Sequence, residues 1–392
     1  MRLLHIIASA NPAGGGPIEG IIRQNEVSGA WGGRDLVTTD PPDAPFLASV
    51  PMTVHALGEK LPWSPGRGFL NHYGYTPKLV PWLRSHASDY DAIIVNGLWN
   101  YATMGAAIAL PTAGVPYFVF PHGMMDPWFK RAYPVKHIAK QAFWMFNEGP
   151  LLRQARAVLF TTEEERQLAR HSFWPNGYRE QVVGYGTGRP PPPDPRQEAA
   201  FRAAAPGLGA RKYLLYLSRI HTKKGCDLLV DAFAAIAGAQ PDVDLVVAGP
   251  DQEGWVKILR RRAEHLGVSE RIHWPGMLQG DAKWGAFRGA EAFVLPSHQE
   301  NFGIVVAEAL ACGIPVLITD KVNIWREVEA AHAGLVGRDD AAGVSGLLTR
   351  WFTLTPAERQ GMSQAAIELF NSQFDVREFT ESMMRSIETH LA

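Results

Sequence analysis

Cysteine is almost absent from this chain of 392 residues: there are two, Cys226 and Cys312. Both stand in apolar stretches with helical spacing, which excludes a disulfide-built secreted fold and predicts buried, reduced thiols of a cytoplasmic protein. No sign of charge dominates, since 38 Lys and Arg stand against 39 Asp and Glu for a net charge of −1. The general affinity for nucleic acid that a basic surface confers is therefore not expected. Long apolar runs are missing too. Residues 92–120, the most apolar stretch, contain Asn96, Asn100, Pro111 and Pro116, and so read as strand, helix and strand rather than a membrane span. Residues 1–10 have a basic start and an Ala-x-Ala end, but an apolar core of only about five residues that includes His5, too short for a secretory signal. They read as a first β-strand. No His-Glu-x-x-His or similar ligand spacing occurs, and no catalytic metal or other cofactor is expected.

Two nucleotide fingerprints are also missing. The loop Asn11-Pro12-Ala13-Gly14-Gly15-Gly16-Pro17 follows the first strand, but counting Gly-x-Gly-x-x-Gly from Gly14 puts Glu19 at the last position. No Gly-Lys-Ser/Thr follows either. What remains is a tight turn into a helix with Pro17 near its first position, whose free N–H groups suit an anion. Asp242-Val243-Asp244 matches a metal-nucleotide motif of a different fold, yet Asp244 leads into a strand and sits at the wrong end of it.

What is present is regular alternation of strands and helices in both halves, which predicts an α/β, doubly wound architecture. In the second half the expected strands are 213–217, 244–248, 272–274, 292–295 and 316–319. The four prolines of 190–193 exclude helix and central strand there, and predict a semi-rigid connector. The expected division is a first domain 1–187, a linker 188–210, a second domain 211–372 and a terminal segment 373–392 with a helix near 376–391.

The strongest chemical signal is a strand-to-helix junction. An apolar strand at 292–295 ends at Pro296, an Ala-rich helix starts near Ile304, and Glu300 and Glu308 flank the turn Asn301-Phe302-Gly303. The first helical N–H groups have no intrahelical partner and Gly303 permits close backbone approach, so this end attracts phosphate. The two carboxylates are separated by roughly 12 Å or less along the axis, a span suited to a polyhydroxylated ligand whose paired hydroxyls they would bind. The alternative is a surface cap and a solvated helical residue. A second junction, Tyr213 to Leu229, places Arg219 and Lys224 in a loop after a strand, where open α/β sheets bind ligands. Lys223 beside them reads as a solvated cation.

Glu300-x7-Glu308 within Asn-Phe-Gly and Ala-Glu-Ala-Leu-Ala-Cys-Gly-Ile-Pro-Val, together with Arg219 and Lys224, closely resembles the donor-site signature of retaining glycosyltransferases of family 4. Asn301 stands where many members have Gly. The resemblance implies the GT-B fold, two Rossmann-like domains facing each other across a deep cleft, with the terminal helix returning to the first. It implies that Arg219 and Lys224 grip a donor diphosphate, that Glu300 orients the sugar, and that Glu308 holds the ribose. Asn301, Phe302 and Gly303 would bind the donor through their backbone, Gly15 and Gly16 would touch diphosphate or acceptor, and Met277 would lie near the base. His122, in Pro121-His122-Gly123 after the strand 117–120, would contact the transferred sugar and count among the catalytic residues. Asn96 and Asp126 are acceptor candidates, Asp126 alternatively capping the next helix before Pro127. The implied reaction moves a hexose from a UDP- or GDP-linked donor to a hydroxyl of a glycan or lipid-linked acceptor, with retention and without metal. The setting implied is bacterial polysaccharide or glycolipid synthesis. Competing readings are a nucleotide-sugar epimerase of the same fold, a pyridoxal-phosphate phosphorylase and a non-catalytic nucleotide-sugar-binding protein. Residues 128–146 interleave aromatics with Lys130, Arg131, Lys136 and Lys140. They predict either weak docking on an anionic membrane, hence a peripheral position on the inner face of the plasma membrane, or packing inside the first domain.

Overall fold

The computed structural model describes residues 1–12, 15–29, 31–59, 70 and 72–391. The chain divides into two compact units, one formed by Met1–Gly186 with Val376–Ala392, the other by Thr187–Asp375.

The first unit is built on seven strands: β1 (Leu3–Ile7), β2 (Arg34–Thr38), β3 (Thr53–Ala56), β4 (Ala92–Asn96), β5 (Tyr117–Phe120), β6 (Ala157–Phe160) and β7 (Glu180–Val182). They pair in parallel in the order β3-β2-β1-β4-β5-β6-β7. Every residue of β1 and β4 is buried, because helices cover both faces of a parallel sheet and strands there become continuous apolar runs. Residues 92–120 resolve into β4, the helix Tyr101–Ala109 and β5. The strand order reverses direction at β1/β4, and the loops leaving their C-terminal ends are those after Ile7 and Asn96. The terminal helix Val376–Leu391 buries Phe379, Met383, Met384 and Ile387 in this unit. Phe379 lies against Tyr185 at 5.0 Å between ring centroids, and Gln24 Nε2 donates to Met383 Sδ at 3.4 Å.

The second unit has six parallel strands, β8 (Lys212–Leu217), β9 (Val243–Ala248), β10 (Ile272–Gly276), β11 (Ala292–Leu295), β12 (Val316–Thr319) and β13 (Gly334–Gly337), ordered β10-β9-β8-β11-β12-β13. Its reversal falls at β8/β11. The edge strand β13 has no counterpart among the expected strands: it is four residues long with glycine at both ends, so its sequence carries no strand-like apolar run. Gly334 is needed because a Cβ there would lie 1.9 Å from the Val316 carbonyl oxygen.

Within the span expected to be a connector, Pro195–Ala204 is a helix. Asp194 caps it, its side chain accepting the Arg196 N–H, with Gln197 completing a capping box. The helix packs on Gly280–Arg288, where Gly285 leaves room for the Gln197 carbonyl 2.0 Å from where a Cβ would be. Only the residues before Asp194 have the extended character that four prolines impose. Cys226 is buried, whereas Cys312, at the end of the helix Ile304–Ala311, is only half-buried. Burial pushes both thiols up to about 11, so both stay protonated and unreactive at neutral pH.

Candidate active site

In the second unit the chemistry gathers at the reversal point of the sheet. β8 and β11 are hydrogen-bonded neighbours, so the loops that leave their C-terminal ends, 218–225 and 296–303, start side by side. They touch along their length. The His298 N–H donates to the Lys223 carbonyl at 2.9 Å, and Gly225, at φ 64°, lies so close that a Cβ would be 2.1 Å from the Pro296 carbonyl oxygen. This brings Lys224, only 4% exposed, into direct contact with Glu300, whose Oε2 accepts from the Lys224 ammonium. The two groups satisfy each other, and each fixes the rotamer of the other. Glu300 is also fixed through its backbone, its N–H donating to Lys321 O at 2.9 Å and its carbonyl accepting from the Asn323 N–H at 3.0 Å. Arg219 is exposed on the same loop, 3.5 Å from Gln252 Oε1 and without an ion-pair partner among the described residues.

Gly303 caps the helix Ile304–Ala311 in the left-handed conformation, φ 76° and ψ 63°, with no side chain accepting the first N–H groups. Phe302 is buried against Phe374, 5.4 Å between centroids, so its contribution to a ligand is confined to the backbone. Asn301 accepts from Asn323 Nδ2 at 3.4 Å. Glu308 is 8% exposed and accepts from Lys283 Nζ at 2.6 Å, so it is an ion-paired residue of the interior edge rather than a solvated one. Met277 is 61% exposed after β10, whose last residue Gly276 accepts the Gly249 N–H at 2.8 Å. Asp244 lies inside β9, with Arg211 at 2.8 Å, Arg271 at 3.2 Å and His273 at 2.8 Å, which accounts for that carboxylate structurally.

The first unit contributes a separate group of polar residues. Gly15, at φ 83°, caps the helix Gly16–Val27, and the Tyr185 hydroxyl donates to the Gly16 carbonyl at 2.5 Å. Of the glycine loop, Ala13 and Gly14 lie outside the described residues. His122 follows β5 with φ 51°, a conformation costly for a non-glycine residue unless its surroundings impose it. Here Glu165 Oε1 takes the Gly123 N–H at 2.6 Å and the His122 ring stacks on Phe120 at 4.1 Å. Asn96 gives His122 its hydrogen-bond polarity. The Asn96 amide nitrogen faces the carbonyls of Ile94 at 3.1 Å and Ile6 at 3.3 Å and His5 Nδ1 at 3.4 Å, so its Oδ1, 3.1 Å from His122 Nε2, must accept. Nε2 therefore carries the proton and Nδ1 is the basic nitrogen of the neutral ring. Burial lowers the His122 and His5 imidazoles to about 3, so both are neutral at physiological pH. Asn96 itself is 3% exposed and stands behind His122. Asp126 Oδ1 accepts the Trp128 N–H at 2.7 Å, while the N-cap position of the helix Trp128–Ala132 falls on Pro127.

Two family models match, "Glycosyl transferases group 1" over residues 200–368 and "Glycosyl transferase 4-like domain" over residues 34–186. The chain belongs to the glycosyl transferases of group 1. A curated relative, the D-inositol 3-phosphate glycosyltransferase of Jonesia denitrificans, is 28% identical over 205 residues, which cover 50% of this chain and 48% of that protein. The chain thus matches about half the length of such relatives. Among solved structures, sucrose-phosphate synthase from Thermosynechococcus elongatus aligns with a TM-score of 0.74 at 20% identity, covering 99% of this chain and 98% of that one. Anabaena HepE, in complex with UDP and glucose, aligns with a TM-score of 0.75 at 19% identity, covering 99% and 100%. The two doubly wound units are those of the GT-B fold.

For this group 1 glycosyl transferase, the residues that sequence reasoning did not find are the ones that hold others in place. Lys283 anchors Glu308 from 25 residues away, His5 faces the Asn96 amide that holds His122, and Tyr185 holds Gly16 across 169 residues. No local pattern marks such partners. The one signal available is a polar residue inside an apolar strand, which His5 is.

Proposed function

We propose that this chain is a retaining, metal-independent glycosyltransferase that moves a hexose from a UDP- or GDP-linked sugar to a hydroxyl of a glycan or lipid-linked acceptor, in bacterial polysaccharide or glycolipid synthesis. The observation that carries the reading is the contact of the 218–225 and 296–303 loops, which sets Lys224 against Glu300 just before a helix whose N-cap, Gly303, has no side chain to accept the first N–H groups. A departing nucleoside diphosphate gains negative charge, and Arg219, Lys224 and the amides after Glu300 would stabilise it without a metal. Glu300 would orient sugar hydroxyls and Glu308 the ribose. Gly15, Gly16 and His122 keep the roles that the family resemblance gives them, His122 as a neutral ring. No side chain stands out as a nucleophile, so retention would follow same-face attack through an oxocarbenium-like state, the leaving phosphate oxygen taking the acceptor proton. The likeness to a solved protein holding UDP and glucose supports a nucleotide-sugar donor. The exposed apolar face of Pro134–Phe146 supports weak docking to an anionic leaflet.

Removing either cation should cost on the order of 1.5–3 kcal/mol, roughly 10–150-fold in rate. The test is transfer from UDP- and GDP-hexoses by the native chain, Arg219→Ala and Lys224→Ala, each checked for folding. Full activity in both variants would end the assignment. Activity should also survive excess chelator, and a loss restored by Mg²⁺ would overturn metal independence. Thermal shifts with UDP and GDP would identify the base, since a ligand of the native state raises its midpoint.

A further inference from the structure

A cavity of about 410 Å³ opens in the first unit, lined by Asp126, Phe129, Tyr133, Lys136, His137 and Lys140 among others. Lys136 and Lys140 lie one turn apart on the helix Pro134–Phe146, where like charges repel. Neither has an ion-pair partner among the described residues; each is held against aromatic faces instead. The Lys140 ammonium lies 4.7 Å from the Trp99 ring centroid and 5.9 Å from that of Phe129, and the Lys136 ammonium 5.1 Å from that of Tyr133. His137, also in the lining, stacks on Phe173 at 4.9 Å. A buried acid, Glu148, makes no ion pair with either: its Oε1 accepts the Trp99 N–H at 3.1 Å, and burial raises its pKa toward the neutral form. Burial and the neighbouring Lys136 likewise lower the proton affinity of Lys140, although Glu148 opposes this. The half-buried Lys140 and the exposed Lys136, neither in an ion pair among the described residues, stand beside a concave aromatic surface and one carboxylate, an environment that an anion completes.

We propose that this cavity is the acceptor subsite and that the acceptor is a phosphate-bearing sugar, with phosphate at Lys136 and Lys140, the ring against Phe129 and Tyr133, and a hydroxyl directed to Asp126. The term acceptor rests on the glycosyl-transfer reading; the binding itself does not. The phosphate belongs either to a free sugar phosphate or to the headgroup of a lipid.

The full-length chain would be titrated with glucose 6-phosphate and with glucose, following tryptophan fluorescence, because Trp99 borders the cations. It would also be co-sedimented with phosphatidylcholine vesicles containing phosphatidylinositol 4-phosphate or phosphatidylglycerol at matched charge. Saturable binding of glucose 6-phosphate but not glucose, weakened roughly 10-fold or more in Lys136→Gln/Lys140→Gln and retained in Lys140→Arg, supports a free phosphate. A preference for the phosphoinositide vesicles, lost in the same double variant, supports a lipid headgroup. Thermal shifts with UDP and GDP, unchanged from the native chain, show that the double variant is folded. The proposal is overturned if neither probe binds the native chain, if glucose binds as well as its phosphate, or if the double variant binds equally. If the native chain binds sugar phosphate but neither UDP nor GDP, the donor reading fails while the anion site stands.

Discussion

At the scale of single residues, the series His5, Asn96, His122 ties the loop after β5 to the interior of the first sheet. An imidazole that is neutral when folded but titrates near its ordinary value when unfolded makes stability depend on pH in a definite direction. The folded pKa of about 3 lies below the unfolded value near 6.5, so between them the unfolded chain binds more protons. The stabilisation is therefore complete above the unfolded pKa and is lost as pH falls toward 3, at up to about 1.4 kcal/mol per pH unit for each ring. Denaturant unfolding of the native chain and of His122→Gln at pH 7 and pH 4.5 reads the difference: the variant should lose less stability on acidification. Parallel losses would show that the ring is not buried neutral. Asn96→Ala tests the same series from its middle. It leaves His122 Nε2 and a backbone carbonyl without their partner and should cost about 1–3 kcal/mol. It should also shift His122 away from the single Nε2–H tautomer, which ring ¹⁵N chemical shifts report directly and which a merely structural loss would not alter.

At the scale of elements, the two loops of the second unit are set by glycine. Gly225→Ala would place a Cβ 2.1 Å from the Pro296 carbonyl in a backbone of φ 64°, costing about 2–4 kcal/mol in stability from the left-handed strain and the displaced loop together. Gly238→Ala, with φ −64° and open space around it, is the matched control and should be close to neutral. Comparing their unfolding midpoints and their affinity for UDP or GDP checks both; equal behaviour would mean the loops are not held in contact by that glycine. These elements were also where the sequence was most informative. Short apolar runs ending in Pro296 or before Arg219 announce buried strands, and Gly303 before an Ala-rich stretch announces a helix, so both loops and their four charged residues could be placed. That Lys224 and Glu300 meet could not, because a pairing across 76 residues leaves no local pattern. The helix Pro195–Ala204 was hidden by the prolines before it, although Asp194 followed by Pro195 is a start signal in its own right. Residues 128–146 looked like one interfacial stretch, but Pro134 divides them into Trp128–Ala132 and Pro134–Phe146, with Trp144 buried and Val135, Ile138 and Phe146 exposed. Ile138→Ser/Phe146→Ser should therefore leave stability nearly unchanged and reduce sedimentation with anionic vesicles at low salt; undiminished sedimentation would place any membrane contact elsewhere.

At the scale of the whole molecule, the chain ends in the unit where it begins. Alternation of strands and helices shows in the sequence that there are two sheets, but strand order is set by long-range packing, and the place of the last helix in the first unit followed from the family resemblance rather than from any local pattern. Val376–Leu391 carries Phe379, Met383, Met384 and Ile387 into the first unit, all buried. Each such side chain contributes about 1.5–3 kcal/mol on burial, so together they rival the roughly 5–15 kcal/mol by which a domain is stable. Stopping the chain after Asp375 should therefore unfold the first unit, while the second unit, Thr187–Asp375, keeps every contact internal to it. Hydrogen exchange resolved by peptide would show amides of β1, β4 and β5 losing protection in the shortened chain while those of β8, β9 and β11 keep theirs. Protection retained throughout β1 to β5 would mean that the terminal helix lies on the first unit without being part of its core.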